Sequence, residues 1–254
     1  MIDFIKTIIT KAGEEVLHTT KTIRGKKEGG GNWVTEADLR SEDYIINAIQ
    51  KKFSTHTILS EERISSIHNL EKQEHCWIID PLDGTTNATH GVPFFGISIA
   101  HIEHGIIRYG AVYDPNRKEL FWAEKGKGAW CQDEKITVKN SDGLNGAIID
   151  VGSPYLSETF QKTYPIGETL HAHGARMVNF GSAVLEICYV ACGRLSGYVE
   201  CGLKPWDVAA GKLILEEAGG VMTSFRSDTF SIFHPDEVLA GNSIIVKEIK
   251  KCIT

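Results

Sequence analysis

Two aspartates three residues apart, directly after a short apolar run, constrain this chain more than any other feature. The apolar run at 76–79 predicts a buried strand, because short continuous apolar runs bounded by turn residues are typical of strands. The segment 80–87 that follows reads Asp-Pro-Leu-Asp-Gly-Thr-Thr-Asn and predicts a turn into a helix. Carboxylate oxygens beside backbone N–H groups at a helix start suit Mg²⁺ and a phosphate group. The same residue types also favour simple turns, so the segment alone leaves both interpretations open.

Acidic residues elsewhere in the chain favour the metal-site interpretation. Glu61 and Glu62 directly follow another short apolar run. Asp207 opens an apolar, alanine-rich helix, where it can also serve as a first-turn acid that the helix dipole favours. Asp38 stands in the pattern Thr35-x-x-Asp38, which matches a capping box, so a structural and a functional role are both open for it. Carboxylates gathered in one pocket repel one another strongly unless cations neutralise them.

With these residues the chain resembles the inositol monophosphatase family, which lies within the lithium-sensitive, magnesium-dependent sugar phosphatases. The family's first signature is matched at 77–87, and its second is matched at 204–211 with a continuation at 216–220. The acidic pair at 61–62 and the segment 34–38 fall where the family has its own counterparts. The resemblance runs from the first helix to beyond residue 240, so it covers nearly the whole chain.

The resemblance implies an α+β fold, a layered α/β/α/β/α sandwich. It also implies an amino-terminal lobe over 1–140 that carries most metal ligands and a carboxyl-terminal lobe over 141–254, with the site between them. Hydrophobic periodicity and turn residues predict the separate elements. Helices are predicted at 1–22, 37–53, 183–195, 208–218 and 243–252, and strands at 76–79, 96–100, 106–113, 120–123 and 147–151.

The resemblance also assigns the chemistry of the site. It implies that two or three Mg²⁺ ions are held by Glu61, Asp80, the carbonyl of Leu82, Asp83 and Asp207. Mn²⁺ can substitute, because it accepts the same oxygen ligands. Thr85, with Asp38 behind it, and Glu61 are the implied catalytic residues, which orient and deprotonate the attacking water. The N–H groups of Gly84 and Thr85 are implied phosphate ligands, and Glu62 is an accessory residue of a third, weak metal site.

The residues that face the substrate are implied in the same way. They are Gly84, Thr85, Gly181, Ser182, Ala183, Glu200 and Asp207. Their pattern favours inositol monophosphate or a similar polyol or sugar phosphate, hydrolysed by in-line attack of a metal-activated water. Hydrolysis of fructose-1,6-bisphosphate, alone or as a dual activity, is the alternative. A nucleotide 3′-phosphatase and a low-turnover, Mg²⁺-dependent regulatory binding protein are further alternatives.

Charge near Glu200 bears on the size of the substrate. The resemblance implies that Glu200 accepts hydrogen bonds from a polyol ring, and a carboxylate there would repel a second phosphate. Arg194 and Lys204 stand close enough in sequence to offset that charge, which keeps the bisphosphate open.

Composition and charge restrict the partners. A net charge of −6 argues against a protein that binds nucleic acid by general electrostatics. No apolar run is long enough to span a bilayer, so no membrane partner is expected. The resemblance implies a small-molecule phosphomonoester as the partner, without nucleic acid. The six cysteines lack zinc-site spacing and predict free thiols in a reducing cytoplasm. The resemblance adds a homodimer.

Two further segments allow more than one interpretation. Lys27 and the residues 28–32 form either a lid that brings Lys27 towards the metals or a surface loop. His171 and His173 would share one face of a strand, as a metal site requires. No third soft ligand stands near them in sequence, so the pair is interpreted as surface residues.

Overall fold

The computed structural model describes residues 1–19, 23–26, 33–63, 70–154 and 156–253, with 23–26 described as backbone. The helices in these ranges are α1 (Ile2–Thr19), α2 (Glu36–Lys52), α3 (Thr85–His90), α4 (Ser157–Ala172), α5 (Ala183–Ala191), α6 (Pro205–Glu217) and α7 (Ser243–Ile253). The strands are β1 (Ile23–Lys26), β2 (Trp33–Thr35), β3 (Thr57–Ser60), β4 (His75–Asp83), β5 (Gly96–Glu103), β6 (Ile106–Asp114), β7 (Glu119–Glu124), β8 (Ala129–Cys131), β9 (Glu134–Ile136), β10 (Ile148–Val151), β11 (Arg176–Val178), β12 (Gly197–Cys201), β13 (Val221–Thr223) and β14 (Glu237–Gly241).

Two large sheets and three helical layers alternate. The seven-stranded sheet has the order β3-β4-β5-β6-β7-β8-β9, with one parallel pair, β3 and β4. The five-stranded sheet has the order β11-β10-β12-β14-β13 and is mixed. Helices α1 and α2 cover the outer face of the larger sheet, α5 and α6 lie between the sheets, and α4 and α7 cover the smaller sheet. The predicted α+β sandwich with α/β/α/β/α layers is confirmed.

Apolar residues follow one another in strand β4 without alternating polar ones, because both faces of the strand are buried. Cys76 and Ile78 face the core around α5 and α6, whereas Trp77 and Ile79 face the core under α1 and α2. Successive side chains of a strand point to opposite faces, and this strand is covered on both. The predicted buried strand is therefore confirmed.

The segment 80–83, which contains Asp80 and Asp83, differs in one respect from its predicted position. It forms the last part of β4 rather than following the strand, and the pairing with β5 slips between Asp80 and Asp83. The slip leaves one extra residue on β4, which is a β-bulge, and bulges accommodate a proline such as Pro81 within a sheet. The bulge brings both aspartates to the same end of the sheet.

The other predicted elements are present with shifted ends, whereas one helix and several short strands were not predicted. Helix α5 ends at Ala191, before the predicted 195, because Gly193 adopts a left-handed φ of 76° just after it. Helix α4 was not predicted, because Pro165 interrupts its helical pattern. His171 lies in α4 and His173 caps it, both exposed, so the strand geometry that a metal site would need is absent there.

The connection between the two sheets contains the predicted lobe boundary. The last strand of the larger sheet ends at Ile136, and the first of the smaller sheet begins at Ile148. The division into lobes 1–140 and 141–254 stays a prediction. In the described ranges, no helix has both the length and the apolar character needed to cross a membrane.

Candidate active site

Three carboxylates meet where β4 ends and α6 begins. Asp80 and Asp83 come from the bulged end of β4, and Asp207 comes from the first turn of α6. One oxygen from each lies within 4.8 Å of the others. Backbone amides hold two of them in place: Leu82 N–H donates to Asp80 Oδ1 at 3.0 Å, and Lys204 N–H donates to Asp207 Oδ2 at 2.6 Å. Asp207 thus caps its helix and still faces the other two acids.

Burial and mutual repulsion raise the pKa values of these carboxyls. Burial is the largest cause for Asp80, and the charges of Glu61, Asp83 and Asp207 raise its pKa further. Burial, then the charges of Asp83 and Glu61, likewise raise the pKa of Asp207. A divalent cation would offset the electrostatic free energy of ionising these neighbouring carboxyls. An all-oxygen donor set suits Mg²⁺.

Asp38 caps α2 and also contacts the buried hydroxyl of Thr85. Its Oδ2 accepts the Thr35 N–H at 2.8 Å and the Thr35 hydroxyl, which completes the capping box of α2. Its Oδ1 accepts the Thr85 hydroxyl at 3.0 Å. Burial raises the pKa of Asp38 to about 6, although the hydrogen bonds from Thr35 oppose the shift. The nearby charge of Glu62 raises it further. The structural and functional interpretations are compatible.

Gly84 makes the turn from β4 into α3. Its φ is 84°, in the left-handed region that favours glycine. A Cβ there would lie 3.1 Å from the carbonyl oxygens of Gly181 and Phe94, so a side chain would also push the two halves of the site apart. The following residue, Thr85, is buried, and its hydroxyl lies 2.9 Å from the Leu82 carbonyl. That carbonyl is the one predicted to bind metal.

A cavity of about 620 Å³ opens between the two sheets at this point. The predicted site residues that line it are Glu61, Asp80, Leu82, Asp83, Gly84, Thr85, Gly181, Ser182, Ala183, Glu200 and Asp207. Asp38 stands behind Thr85 rather than in the wall. The loop with Lys27 lies outside the described residues.

Ser182, a predicted substrate-side residue, and Asn87 of the first signature join the halves of the site. The Ser182 hydroxyl donates to Asp83 Oδ2 at 2.6 Å, and Val184 N–H donates to the same oxygen at 3.0 Å. Ser182 therefore holds an acid of the cluster, in addition to lining the cavity. Asn87, part of the first signature, donates to the carbonyl oxygens of Phe94 at 2.8 Å and Phe180 at 2.7 Å. The first signature is thus tied directly to the loop before α5.

Glu186 is a site residue that the sequence analysis missed. It is buried in α5 and lines the cavity. Its Oε1 accepts the N–H groups of Phe180 at 2.9 Å and Gly181 at 2.6 Å, which fixes the loop in front of Ser182. Burial, followed by the charge of Asp83, raises its pKa to about 7. An acid inside an otherwise apolar helix was the available signal.

A second group of acids extends from Glu186 to β10 and β12. Glu200 accepts a hydrogen bond from the Tyr198 hydroxyl, and burial and the charge of Glu186 raise its pKa well above the ordinary value. Burial, then the charges of Glu186 and Glu200, raise the pKa of Asp150 to about 10. Glu186 and the Phe180 amide face Asp150 without normal hydrogen-bond geometry, so its carboxyl oxygens have no partner among the described residues.

The basic side chains near Glu200 differ from those that the sequence predicted. Lys204 lines the cavity. Arg194 does not, because its two terminal nitrogens each lie 2.6 Å from the carboxylate of Glu119, on another surface. The prediction that Arg194 offsets the charge of Glu200 is therefore wrong.

The layered sandwich with clustered carboxylates between its sheets defines a protein of the sugar-phosphatase class. Within that class the chain belongs to the inositol monophosphatase family, whose sequence model matches residues 1–253. It is 37% identical over 242 residues to the Nus factor SuhB of Salmonella typhimurium, across 93% of this chain and 89% of that protein. The solved structure of the extragenic suppressor protein suhB from Bartonella henselae superimposes with a TM-score of 0.91 at 32% identity, over 99% of this chain and 97% of that one. An IMPase from Thermotoga maritima gives a TM-score of 0.86 at 33% identity, over 99% and 95%.

Proposed function

We propose that this protein is a Mg²⁺-dependent phosphomonoester hydrolase that acts on inositol monophosphate or a similar polyol or sugar phosphate. The composition of the cavity wall carries the proposal. Its described residues include one lysine, Lys204, and the six acids Glu61, Asp80, Asp83, Glu186, Glu200 and Asp207. Such a wall repels a phosphate ester unless cations stand between them, and three of the acids are close enough together to share cations.

The residues proposed to hold the ions are Glu61, Asp80, the Leu82 carbonyl, Asp83 and Asp207. Two ions, with a third weak one near Glu61 and Glu62, fit the number of oxygen donors, and Mn²⁺ can replace Mg²⁺. When bound, such ions lower the pKa of a coordinated water and stabilise the charge that develops on the departing oxygen.

The protein's own groups supply proton transfer and positioning. The Thr85 hydroxyl, 3.0 Å from Asp38, can take a proton from the attacking water as it passes its own to the carboxylate. The pKa of about 6 supports this role, because Asp38 is mainly ionised at neutral pH and is still a better base than an ordinary aspartate. The N–H groups of Gly84 and Thr85 bind phosphate oxygens at the start of α3 in this proposal.

Glu200 and the loop 181–183 form the proposed site for the alcohol part of the ester. Because burial raises the pKa of Glu200, its carboxyl can exchange hydrogen bonds with sugar hydroxyls without carrying a full charge at lower pH. The repulsion of a second phosphate is weaker in that form. Fructose-1,6-bisphosphate therefore stays the main alternative substrate, with Lys204 available to a second phosphate.

A phosphate-release panel tests the proposal. The substrates are inositol-1-phosphate, fructose-1,6-bisphosphate, adenosine 3′,5′-bisphosphate and glycerol-2-phosphate, each assayed with Mg²⁺ and with excess EDTA. We expect Mg²⁺-dependent release, fastest from inositol-1-phosphate. Release that is unchanged by EDTA would contradict the metal chemistry, and preference for a bisphosphate would contradict the substrate assignment alone.

The relatives named Nus factor SuhB support a second candidate, a regulatory role as a Nus factor. The absence of turnover on all four esters, in a folded protein that binds Mg²⁺, would favour this candidate over the hydrolase. We also propose a cytoplasmic homodimer, as the family resemblance implies. Light scattering coupled to size-exclusion chromatography measures the oligomer directly.

A further inference from the structure

Three histidines meet at the end of β4 opposite to the acidic cluster. His75 begins β4, His101 lies in β5, and His56 lies in the turn between α2 and β3. His101 pairs with Trp77, and His75 lies two residues before Trp77 on the same face of the sheet. His75 and Asp80 are five residues apart on a strand, so the two clusters are separated by roughly 16 Å.

The ring nitrogens of these histidines approach one another closely. One nitrogen from each ring lies within 4.8 Å of the other two. The rings are nearly parallel: the centroids of His56 and His75 are 4.2 Å apart, and that of His101 lies 5.5 Å from His56 and 5.6 Å from His75. Three imidazoles at this spacing form the donor set that late transition metals prefer.

His101 has no hydrogen-bond partner among the described residues, although it is fully buried. Both its ring nitrogens are buried without a partner, and so is Nδ1 of His75. Buried polar atoms nearly always have a hydrogen-bond partner. Unpartnered nitrogens on two neighbouring rings therefore indicate a ligand between the rings. Burial, with His56 and His75 as neighbours, lowers the pKa of His101 to about 3, so its imidazole is neutral and able to bind metal at physiological pH.

Carboxylates stand on the outer side of two of the rings. Glu103 Oε1 lies 3.8 Å from His101 Nδ1, and Glu74 Oε1 lies 3.8 Å from His75 Nε2. In metal sites the non-ligating nitrogen of a histidine commonly faces a carboxylate, which raises the basicity of the ligand. This arrangement leaves Nε2 of His101 and Nδ1 of His75 as the ligating atoms, and both are among the unpartnered nitrogens.

We propose that His56, His75 and His101 form a second metal site, which binds Zn²⁺ and is separate from the acidic cluster. The ion ties the turn after α2 to β4 and β5 and so stabilises this end of the sheet. Water completes the coordination through the partly exposed side of His75, whose side chain is 33% accessible.

Two contacts must change when the ion binds. Tetrahedral Zn–N bonds of about 2.05 Å place ligand nitrogens about 3.4 Å apart, so the nitrogens must draw together and the stacked rings must turn until their lone pairs converge. The Trp77 indole N–H donates to His56 Nδ1 at 3.1 Å, which keeps the proton of neutral His56 on Nε2. Binding through Nε2 requires that proton to move to Nδ1, which breaks the hydrogen bond from Trp77, so we expect micromolar rather than picomolar affinity.

Zn²⁺ binding to the full chain tests the proposal, with Mg²⁺ present in large excess to occupy the acidic cluster. Equilibrium dialysis with metal analysis gives the number of Zn²⁺ ions per chain, and thermal melts give the stabilisation. We expect His75→Gln and His56→Gln to bind one Zn²⁺ fewer than wild type, or to bind it at least about tenfold more weakly, because each lacks one of three ligands. Both residues are partly exposed, so these variants avoid the folding risk of replacing His101.

The matched control is His104→Asn. His104 is exposed, its ring centroid is 6.5 Å from that of His75, and its φ of 49° is one that asparagine tolerates. We expect this variant to bind Zn²⁺ as wild type does. Co²⁺ gives a second readout, because a tetrahedral histidine site produces strong visible absorption and an oxygen site produces little. Equal Zn²⁺ binding in wild type and His75→Gln, or an equal loss in His104→Asn, would overturn the proposal.

Discussion

Two groups of carboxylates border the same cavity, and they differ in the counter-charge available to them. Asp80, Asp83 and Asp207 face the open cavity, where a cation can reach all three. Glu186 and Glu200 line the cavity too, but Asp150, whose pKa their charges raise, lies outside its wall. We infer that metal ions neutralise the first group and protons neutralise the second. What distinguishes the first group is that one oxygen of each acid lies within 4.8 Å of the others, so that one ion can contact all three.

The hydrogen bonds of the two groups support this distinction. Asp83 accepts hydrogen bonds from the Ser182 hydroxyl and the Val184 amide. These bonds stabilise its ionised form and fix the orientation of the carboxylate. Asp150 accepts none from the described residues, and its pKa of about 10 keeps it protonated at neutral pH. Asp83 in the first group thus has its carboxylate oriented by donors, whereas Asp150 in the second group is a protonated acid without such donors.

The largest expected effect is the loss of turnover in Asp83→Asn. If Asp83 anchors an ion that stabilises the leaving oxygen, kcat should fall by about 10³ or more. The amide also forfeits part of the hydrogen bonding to Ser182 and Val184, so circular dichroism must verify that the variant is folded. The control is Asp150→Asn, which replaces a protonated acid of the second group and should keep Mg²⁺-dependent activity. Full activity in folded Asp83→Asn would contradict the assignment of the first group.

A smaller effect is expected when Asp150 is replaced, and it is a gain in stability rather than a loss of activity. Its pKa is about 10 in the folded protein and near 3.8 when unfolded, so the unfolded chain binds fewer protons over that interval and stability falls as pH rises. Asparagine has no such titration, and its amide can donate to Glu186. Asp150→Asn should therefore be more stable than wild type by an amount that increases by about 2–4 kcal/mol between about pH 5 and pH 8.

Thermal melts in EDTA at both pH values measure this change. Asp142→Asn is the matched control, because Asp142 is an exposed aspartate in the connection before β10 and its replacement should leave the melting temperature nearly unchanged. A gain in Asp150→Asn that is equal at both pH values would contradict neutralisation by a proton.

The sequence predicted the first group far better than the second. Asp80, Asp83 and Thr85 stand in one continuous signature, so local order alone brings them together. Asp207 needed the family resemblance, because only the packing of α6 between the sheets carries it to β4. The layered fold followed from the same resemblance, supported by apolar runs covered on both faces.

The residues that were missed depend on contacts between distant segments. Asp150 and Glu186 look like isolated acids in apolar elements, and their interaction arises only when the fold brings the two carboxyls together. The three histidines are separated by 19 and 26 residues, and strand pairing brings them together. No local pattern encodes such proximity, so periodicity and motif spacing could not reveal it.

The smallest expected effects come from two variants that alter Glu200 differently: one changes its charge and the other its position. Its pKa is raised, so Glu200→Gln resembles the protonated acid at low pH and lacks the charge-assisted hydrogen bond at high pH. The loss in kcat/KM for inositol-1-phosphate should therefore grow with pH towards roughly tenfold. Gly152→Ala acts by shape, because a Cβ at Gly152 would lie 2.2 Å from Glu200 Cδ and must displace that side chain at every pH. Its loss should therefore already be present at low pH, where Glu200→Gln loses little. The ratio of variant to wild-type kcat/KM across the pH range tests both, and a ratio for Glu200→Gln that does not change with pH would mean that the charge of Glu200 takes no part in substrate recognition.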